Sequence, residues 1–276
     1  MTTKQAKKPT QTWAFIDTNI YLDFYRSNKE ARLQLLDKLE SCSGRIISTY
    51  QVQMEFLKHR QSELLKSISE LKVGNLSAPA VVSDGHVEAA IKKIAQESKK
   101  RDSYVKKRVE RMLKQPKTND RVYQVLESIF SSSEDHVLTR DMSVRHLIKR
   151  KAWRRFILGY PPRKRNDTSI GDSLNWEWII HCAKNLSGKF YIVTRDSDFG
   201  IEYQRKAYLN DQLKTEFRNR VGRKSIEMTN KLSDVLKSLE VHVTQEELEA
   251  EEEMIATEPD GFAPAPMTLE ELIAMF

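Results

Sequence analysis

Short apolar runs and helical periods alternate along the first quarter of the chain. Trp13-Ala-Phe-Ile16 is an unbroken apolar run that stops at Asp17-Thr18-Asn19, the pattern of a buried strand feeding a turn. Leu33, Leu36 and Leu39 recur at helical spacing, so the stretch after the turn reads as helix through Leu39. Gly44 punctuates, Arg45-Ile-Ile-Ser48 is a second candidate strand, and Tyr50 to Lys72 keeps a helical period through Val52, Phe56, Leu64 and Ile68. Strand, helix, strand, helix is the order that builds a parallel sheet.

The rhythm then stops and later resumes. Beyond the Gly74–Pro79 break, residues 86–158 read almost wholly as helix, closed by a loop through Gly159-Tyr-Pro-Pro-Arg-Lys-Arg. The pattern returns as a helix from Asp172 to Asn185, the strand Phe190-Tyr-Ile-Val-Thr194, a turn Arg195–Asp198, a helix from Tyr208 to Val221, a short strand at Ser225–Met228 and a helix from Asn230 to Leu239. These elements predict an α/β fold with a central parallel sheet flanked by helices over residues 13–239, interrupted by a helical insertion at about 75–158. A disordered basic lead, 1–12, is expected before it and an acidic tail, 240–276, after it. The tail divides into an acidic helix from Gln245 to Ile255, a proline-bearing linker and an amphipathic ending with Leu269, Leu272, Ile273, Met275 and Phe276.

Charge sharpens this division. The chain of 276 residues carries +7, yet no Lys or Arg follows Lys237 and residues 240–276 hold eleven Asp and Glu. Residues 1–239 therefore carry 46 basic against 28 acidic side chains, a net of +18, which favours a polyanionic partner. Basic clusters mark the insertion at Lys99-Lys-Arg101, Lys106-Lys-Arg108 and Lys149-Arg-Lys151, followed by Arg154 and Arg155. No apolar run approaches a membrane span, and the N-terminus lacks the apolar segment of a secretory signal. Two cysteines, Cys42 and Cys182, make neither a disulfide framework nor a zinc spacing, so a reducing cytoplasm is expected.

The chemistry-bearing candidates are carboxylates. Asp17 and Asp196 fall at or just past the carboxyl ends of predicted strands, the edge where open parallel sheets bind ligands. Carboxylates brought together there repel unless a cation lies between them or one takes up a proton. Glu55 lies early in the helix after the second strand, and Asp172 opens the helix after the basic loop. Each has a plainer reading: Asp172 as a helix start, Glu55 as a solvent-facing residue, and Asp17 and the Thr194–Asp198 run as turn formers. Oxygen ligands without His or Cys suit Mg²⁺ or Mn²⁺. The six histidines show no ligand or triad spacing.

Taken in order, Phe-Ile-Asp-Thr-Asn at 15–19, Glu55, Asp172 and Ile-Val-Thr-Arg-Asp-Ser-Asp-Phe at 192–199 resemble the PIN domain family of nucleases. The Pro-Pro loop leading into Gly-Asp-Ser-Leu-Asn-Trp at 171–176 resembles a PIN-like branch found largely in bacteria. The resemblance covers residues 13–72 and 160–239 and implies a three-layer fold. It implies Asp17, Glu55, Asp172 and Asp196 as catalytic, metal-binding acids, and Asn19 and Thr194 as residues that orient them. Asp198 would be a further ligand, direct or through water. Glu177, five residues along the helix from Asp172, points away from that face. The long gap between Glu55 and Asp172 departs from compact PIN toxins and leaves the substrate open.

The activity implied is metal-dependent phosphodiester hydrolysis, foremost by an RNA endonuclease, toxin-like or a defence effector. A structure-specific DNA nuclease and a non-catalytic nucleic-acid-binding module are the competing readings. A phosphatase or phosphotransferase would want a glycine-rich phosphate loop, which is absent from the sequence. Arg163, Lys164 and Arg165, with Arg154 and Arg155, are expected to hold the nucleic-acid backbone, single-stranded RNA being favoured. Tyr104, Tyr123, Trp153 and Tyr160 could stack on bases, although core positions are favoured for most of them. The acidic tail either extends into solvent, competes for the basic surface, or docks its amphipathic ending on a protein partner or a second copy.

Overall fold

The computed structural model describes residues 11–69, 85–163 and 169–257. Its centre is a five-stranded, wholly parallel sheet in the order β3-β2-β1-β4-β7, with helices on both sides in a three-layer α/β arrangement. The strands are β1 (Thr12–Ile16), β2 (Ile46–Thr49), β3 (Val137–Leu138), β4 (Lys189–Val193) and β7 (Ile226–Thr229). β1 is buried at every residue, as a central parallel strand covered on both faces must be.

Register does the work of aligning the functional edge. Ile16 pairs with Val193, and Val193 with Thr229, so β1, β4 and β7 end level with one another. The next residues continue the ladder: Asp17 N–H donates to Val193 O at 2.9 Å, and Thr194 N–H to Thr229 O at 3.0 Å. Residues 177 positions apart in sequence are thereby neighbours at one sheet edge.

The expected single helix through Leu39 is two, α1 (Thr18–Arg26) and α2 (Glu30–Ser41), broken where Ser27 and Asn28 turn the backbone. Such side chains compete with helical hydrogen bonding, and the leucine spacing of α2 does not register the break. α3 (Tyr50–Ser69) follows β2 as expected, and the rest of that predicted helix lies outside the described residues.

The segment expected as a helical insertion holds α4 (Gly85–Lys114), α5 (Pro116–Asn119), α6 (Arg121–Phe130) and α7 (Arg145–Ile157), but it also supplies β3 to the sheet edge. Two residues are too few to show a period. The segment is tied to the sheet's helices by a buried ion pair. Arg60 of α3 donates to Asp120 at 2.6 Å, and Tyr25 of α1 donates to the same carboxylate at 2.7 Å.

After α8 (Gly171–Asn185) and β4 comes a hairpin that the periodicity does not reveal, β5 (Gly200–Tyr203) and β6 (Lys206–Leu209). Its turn places Gln204 and Arg205 at φ 49° and 60°, where glycine or asparagine is the usual signal. Gly200 is required: a Cβ there would lie 2.0 Å from Tyr208 O.

α9 (Asp211–Val221) and α10 (Leu232–Ser238) complete the expected pattern. The first part of the acidic tail is not a solvated extension. α11 (Gln245–Thr257) packs on α2 and α10 through buried Ala250 and Met254. Its acids meet the cations of α2 and the residue before it: Glu253 with Lys29 at 2.9 Å, Glu251 with Arg32, and Glu247 with Lys38. Glu251 also accepts the amides of Leu232 and Ser233 at 2.8 and 2.9 Å, capping α10. The basic lead over residues 1–10 and the amphipathic ending lie outside the described residues. Among those described, no helix is long and apolar enough to cross a membrane.

Candidate metal centre

Five acidic residues reach the carboxyl edge of the sheet by different local devices. Asp17 leaves β1 in extended conformation and caps α1, its Oδ1 accepting Thr18 N–H at 2.7 Å. Thr194, leaving β4, donates its hydroxyl to Asp17 Oδ2 at 2.6 Å and accepts the Asp196 amide at 3.0 Å and Asn19 Nδ2 at 3.4 Å. Asp196 Oδ1 in turn accepts the Asp198 amide at 3.1 Å, which folds the turn back on itself. Buried Phe199 anchors the turn's far side.

Asp172 arrives on the first turn of α8. α8 approaches α3 so closely that a Cβ on Gly171 would lie 2.6 Å from Glu55 Oε1, and glycine is what leaves room for Glu55 beside the start of α8. Glu55 accepts Gln51 Nε2 at 2.7 Å and Thr18 Oγ1 at 3.2 Å.

The tightest group is Asp172, Asp196 and Asp198, each offering a carboxylate oxygen within 4.8 Å of the others. Asp17 and Glu55 adjoin this trio without joining it. Asp17 nevertheless feels both groups. Its pKa is raised to about 6, chiefly by burial and in part by the charges of Asp196 and Glu55, against the hydrogen bonds from Thr194 and Thr18, which lower it. A half-buried all-carboxylate trio beside a buried fourth carboxyl suits a hard divalent cation, which would relieve the repulsion and be satisfied by oxygen alone. No histidine or cysteine belongs to the group.

The turn bearing Asp196 and Asp198 is braced from outside by residues the sequence reading passed over. Arg195 pairs with Asp23, a fully buried residue of α1 that also meets Arg26 at 3.2 Å and Arg32 at 3.5 Å. Arg32 pairs onward with Glu251 of α11. Arg195 stands inside the recognised motif, but nothing in the sequence marks Asp23 as its partner.

The basic candidates separate. Arg163 and Arg154 are exposed, and Lys164 and Arg165 lie outside the described residues. Arg155 corrects the expectation. It is buried, pairs with Glu177 at 3.2 Å and with Glu216, and donates to Pro161 O, so it holds the loop and not a substrate. Burial pushes the pKa of Glu177 up, but Arg220 and Arg155 outweigh it and hold the carboxyl below its ordinary value. Of the aromatics assigned mostly to the core, only Tyr123 is largely covered, while Tyr104, Trp153 and Tyr160 are exposed.

Comparison with known proteins bears on this arrangement. A family model described as PIN domain matches residues 14–199, a span that contains Asp17, Glu55, Asp172, Asp196 and Asp198 and ends on Phe199. No curated protein and no solved structure matches the chain.

Proposed function

The chain belongs to the PIN domain family, whose members are in general metal-dependent nucleases, and from that premise we propose that it is an endoribonuclease acting on single-stranded RNA. The observation that carries the reading is the convergence of Asp172, Asp196 and Asp198 within 4.8 Å, with Asp17 and Glu55 alongside. Asp172, Asp196 and Asp198 would hold Mg²⁺ or Mn²⁺, and such an ion supplies charge neutralisation at phosphate oxygens and a more acidic water. Asp17 and Glu55 add negative charge beside the trio and stand ready to accept a proton or a second ligand bond. Thr194 keeps Asp17 in place through its hydroxyl, and Asn19 acts on Asp17 only through Thr194, to which its amide donates. Arg154 and Arg163, both exposed, supply backbone contacts whose strength falls with salt. The choice of RNA over DNA rests on the family resemblance. Both cysteines are free and buried, which supports a reducing cytoplasm as its compartment.

The test is cleavage of labelled single-stranded RNA, single-stranded DNA and a flapped duplex, each with Mg²⁺, Mn²⁺ or EDTA. Wild type is compared with Asp17→Asn and Asp196→Asn. Metal-dependent cutting of RNA that both variants lose supports the proposal. Preferred cutting of the flapped duplex replaces it with a DNA nuclease. Folded protein that binds all three and cuts none makes it a binding module.

A further inference from the structure

α7 buries Ile148, Ala152 and Arg155 at positions i, i+4 and i+7, so the opposite face of the helix looks into solvent. That face carries Arg150, Trp153, Arg154 and Ile157, and Ile157 is 73% exposed. Trp153 is 44% exposed, whereas Trp13, Trp176 and Trp178 are buried. The core thus claims three of the chain's four indoles and leaves one outside among cations.

Trp153 does not stand alone. Its ring meets Phe156 edge-on at 5.9 Å, and the Arg163 guanidinium lies over the Phe156 ring at 4.7 Å, with Tyr160 46% exposed on the same loop. Planar groups and positive charge therefore run from α7 into the loop. This loop is pinned at its base: Arg155 holds Pro161 O, and Ser173 Oγ donates to Pro162 O at 3.1 Å. Ser173 is the residue next to Asp172 of the acidic trio. The exposed ladder is thus joined, through two fixed carbonyls, to the helix end that carries a metal-site acid.

We propose that the outer face of α7 and the loop after it form a platform on which the bases of a single strand stack, with Trp153 and Tyr160 as the stacking surfaces. The inference deepens the nuclease reading and rests on it for what happens after capture. Every base has a π-face, so such stacking tolerates sequence, while Arg150, Arg154 and Arg163 supply the countercharge of the backbone. A duplex hides its base faces and would reach the cations only. The platform therefore selects single strands by chemistry, apart from any preference of the acidic centre. An unpaired apolar helix face with no charge would fit a protein partner better; the interleaved arginines favour the nucleic acid.

The experiment is binding in EDTA, where no cutting intervenes, using the full chain and four labelled probes. These are a uridine oligomer, its DNA counterpart, a duplex, and an abasic oligomer of equal charge. The expected result is quenching of Trp153 fluorescence by the base-bearing single strands and not by the abasic one. Trp153→Ala and Tyr160→Ala should each weaken single-strand binding by roughly tenfold, with Trp153→Phe keeping most of the affinity. Trp153→Ala should leave the salt dependence unchanged, while Arg154→Ala lowers its slope by about one. Equal affinity for the abasic probe, or no loss in either alanine variant, overturns the platform. So does a result in which these variants change only self-association, measured by sedimentation. Wild type that captures strands through Trp153 but never cuts them with metal leaves the platform standing and removes the nuclease reading. Wild type that cuts RNA while Trp153→Ala binds normally does the reverse.

Discussion

Thr194 gives its hydroxyl proton to Asp17 Oδ2 at 2.6 Å, and with it the end of one strand holds the carboxylate at the end of its neighbour. Thr194 Oγ1 in turn receives the Asp196 amide, so a single hydroxyl links the buried acid to the turn that carries two of the trio. Thr194→Val keeps the shape and removes both links. Metal affinity and the rate of cleavage are expected to fall by about 10- to 100-fold, with Thr194→Ser restoring most of each. Calorimetric Mn²⁺ titration beside single-turnover kinetics checks this, and a Thr194→Val protein with wild-type affinity removes the role assigned to the hydroxyl.

Asp17 sets a dependence of stability on both pH and metal. Its folded pKa, raised to about 6 in the metal-free protein, lies above the ordinary value of 3.8. A raised carboxyl contributes stability that is present below the ordinary value and lost as pH rises through the folded one. Metal-free protein therefore carries the cost of this buried charge above pH 6, and a cation bound to the trio offsets it. Added Mn²⁺ should raise the melting temperature clearly more at pH 7.5 than at pH 5. Equal shifts at the two pH values would remove Asp17 from the linkage.

Acid acts in the opposite sense on the buried ion pairs. Burial alone would raise Glu251 and Glu177, but Arg32 in one case and Arg220 with Arg155 in the other hold both below the ordinary 4.5. Stability from such groups is present above the ordinary value and is lost as pH falls through the folded one. Urea midpoints should hold at neutral pH and decline below about pH 4.5. In Glu251→Gln the decline should be shallower, since that variant has already lost the pair's charge.

Arg195 is expected to position the turn and not to touch substrate. Arg195→Met leaves Asp23 with Arg26 and Arg32, so the fold should survive while Asp196 and Asp198 lose their outer brace. Amide exchange across residues 194–199 should quicken and Mn²⁺ affinity fall about tenfold. Val235→Ala, a core change in α10, serves as the control for destabilisation alone. Loss of affinity equal to that of the control would show that Arg195 merely stabilises.

Truncation divides the acidic tail. Removing residues 240–276 takes away α11, the cap on α10 and one partner of buried Arg32, a loss that removing residues 258–276 alone avoids. Breaking a buried ion pair costs about 3–5 kcal/mol, a large share of a domain's stability, and Asp23, which stays beside Arg32, lessens that loss. Chemical denaturation of both truncations measures the difference, and a test of autoinhibition by the acidic ending must use the shorter cut.

The sheet and most of the acidic centre were legible in the sequence because their signals are local. β1 and β4 hold unbroken apolar runs, Trp13–Ile16 and Phe190–Val193, and an acid follows each within three residues. What escaped depends on partners distant in sequence or on too few residues. β3 spans two positions, and the β5–β6 turn uses Gln204 and Arg205 where no glycine announces it. Arg154 and Arg155 are adjacent and chemically alike, and only the tertiary fold buries one against Glu177. α11 looks like a solvated acidic helix until the cations of α2, some two hundred residues earlier, are brought against it.

The chain of charges from Glu251 through Arg32 and Asp23 to Arg195 joins the last described helix to the acidic turn. Synthesis runs from the N-terminus, so Asp17, Glu55, Asp172, Asp196 and Asp198 are all translated before Glu251. A nascent chain can assemble the sheet edge yet still lacks the final member of that charge chain. Full bracing of the turn must await emergence of α11 from the ribosome, so the charge chain closes only after every acid of the candidate metal centre has been made.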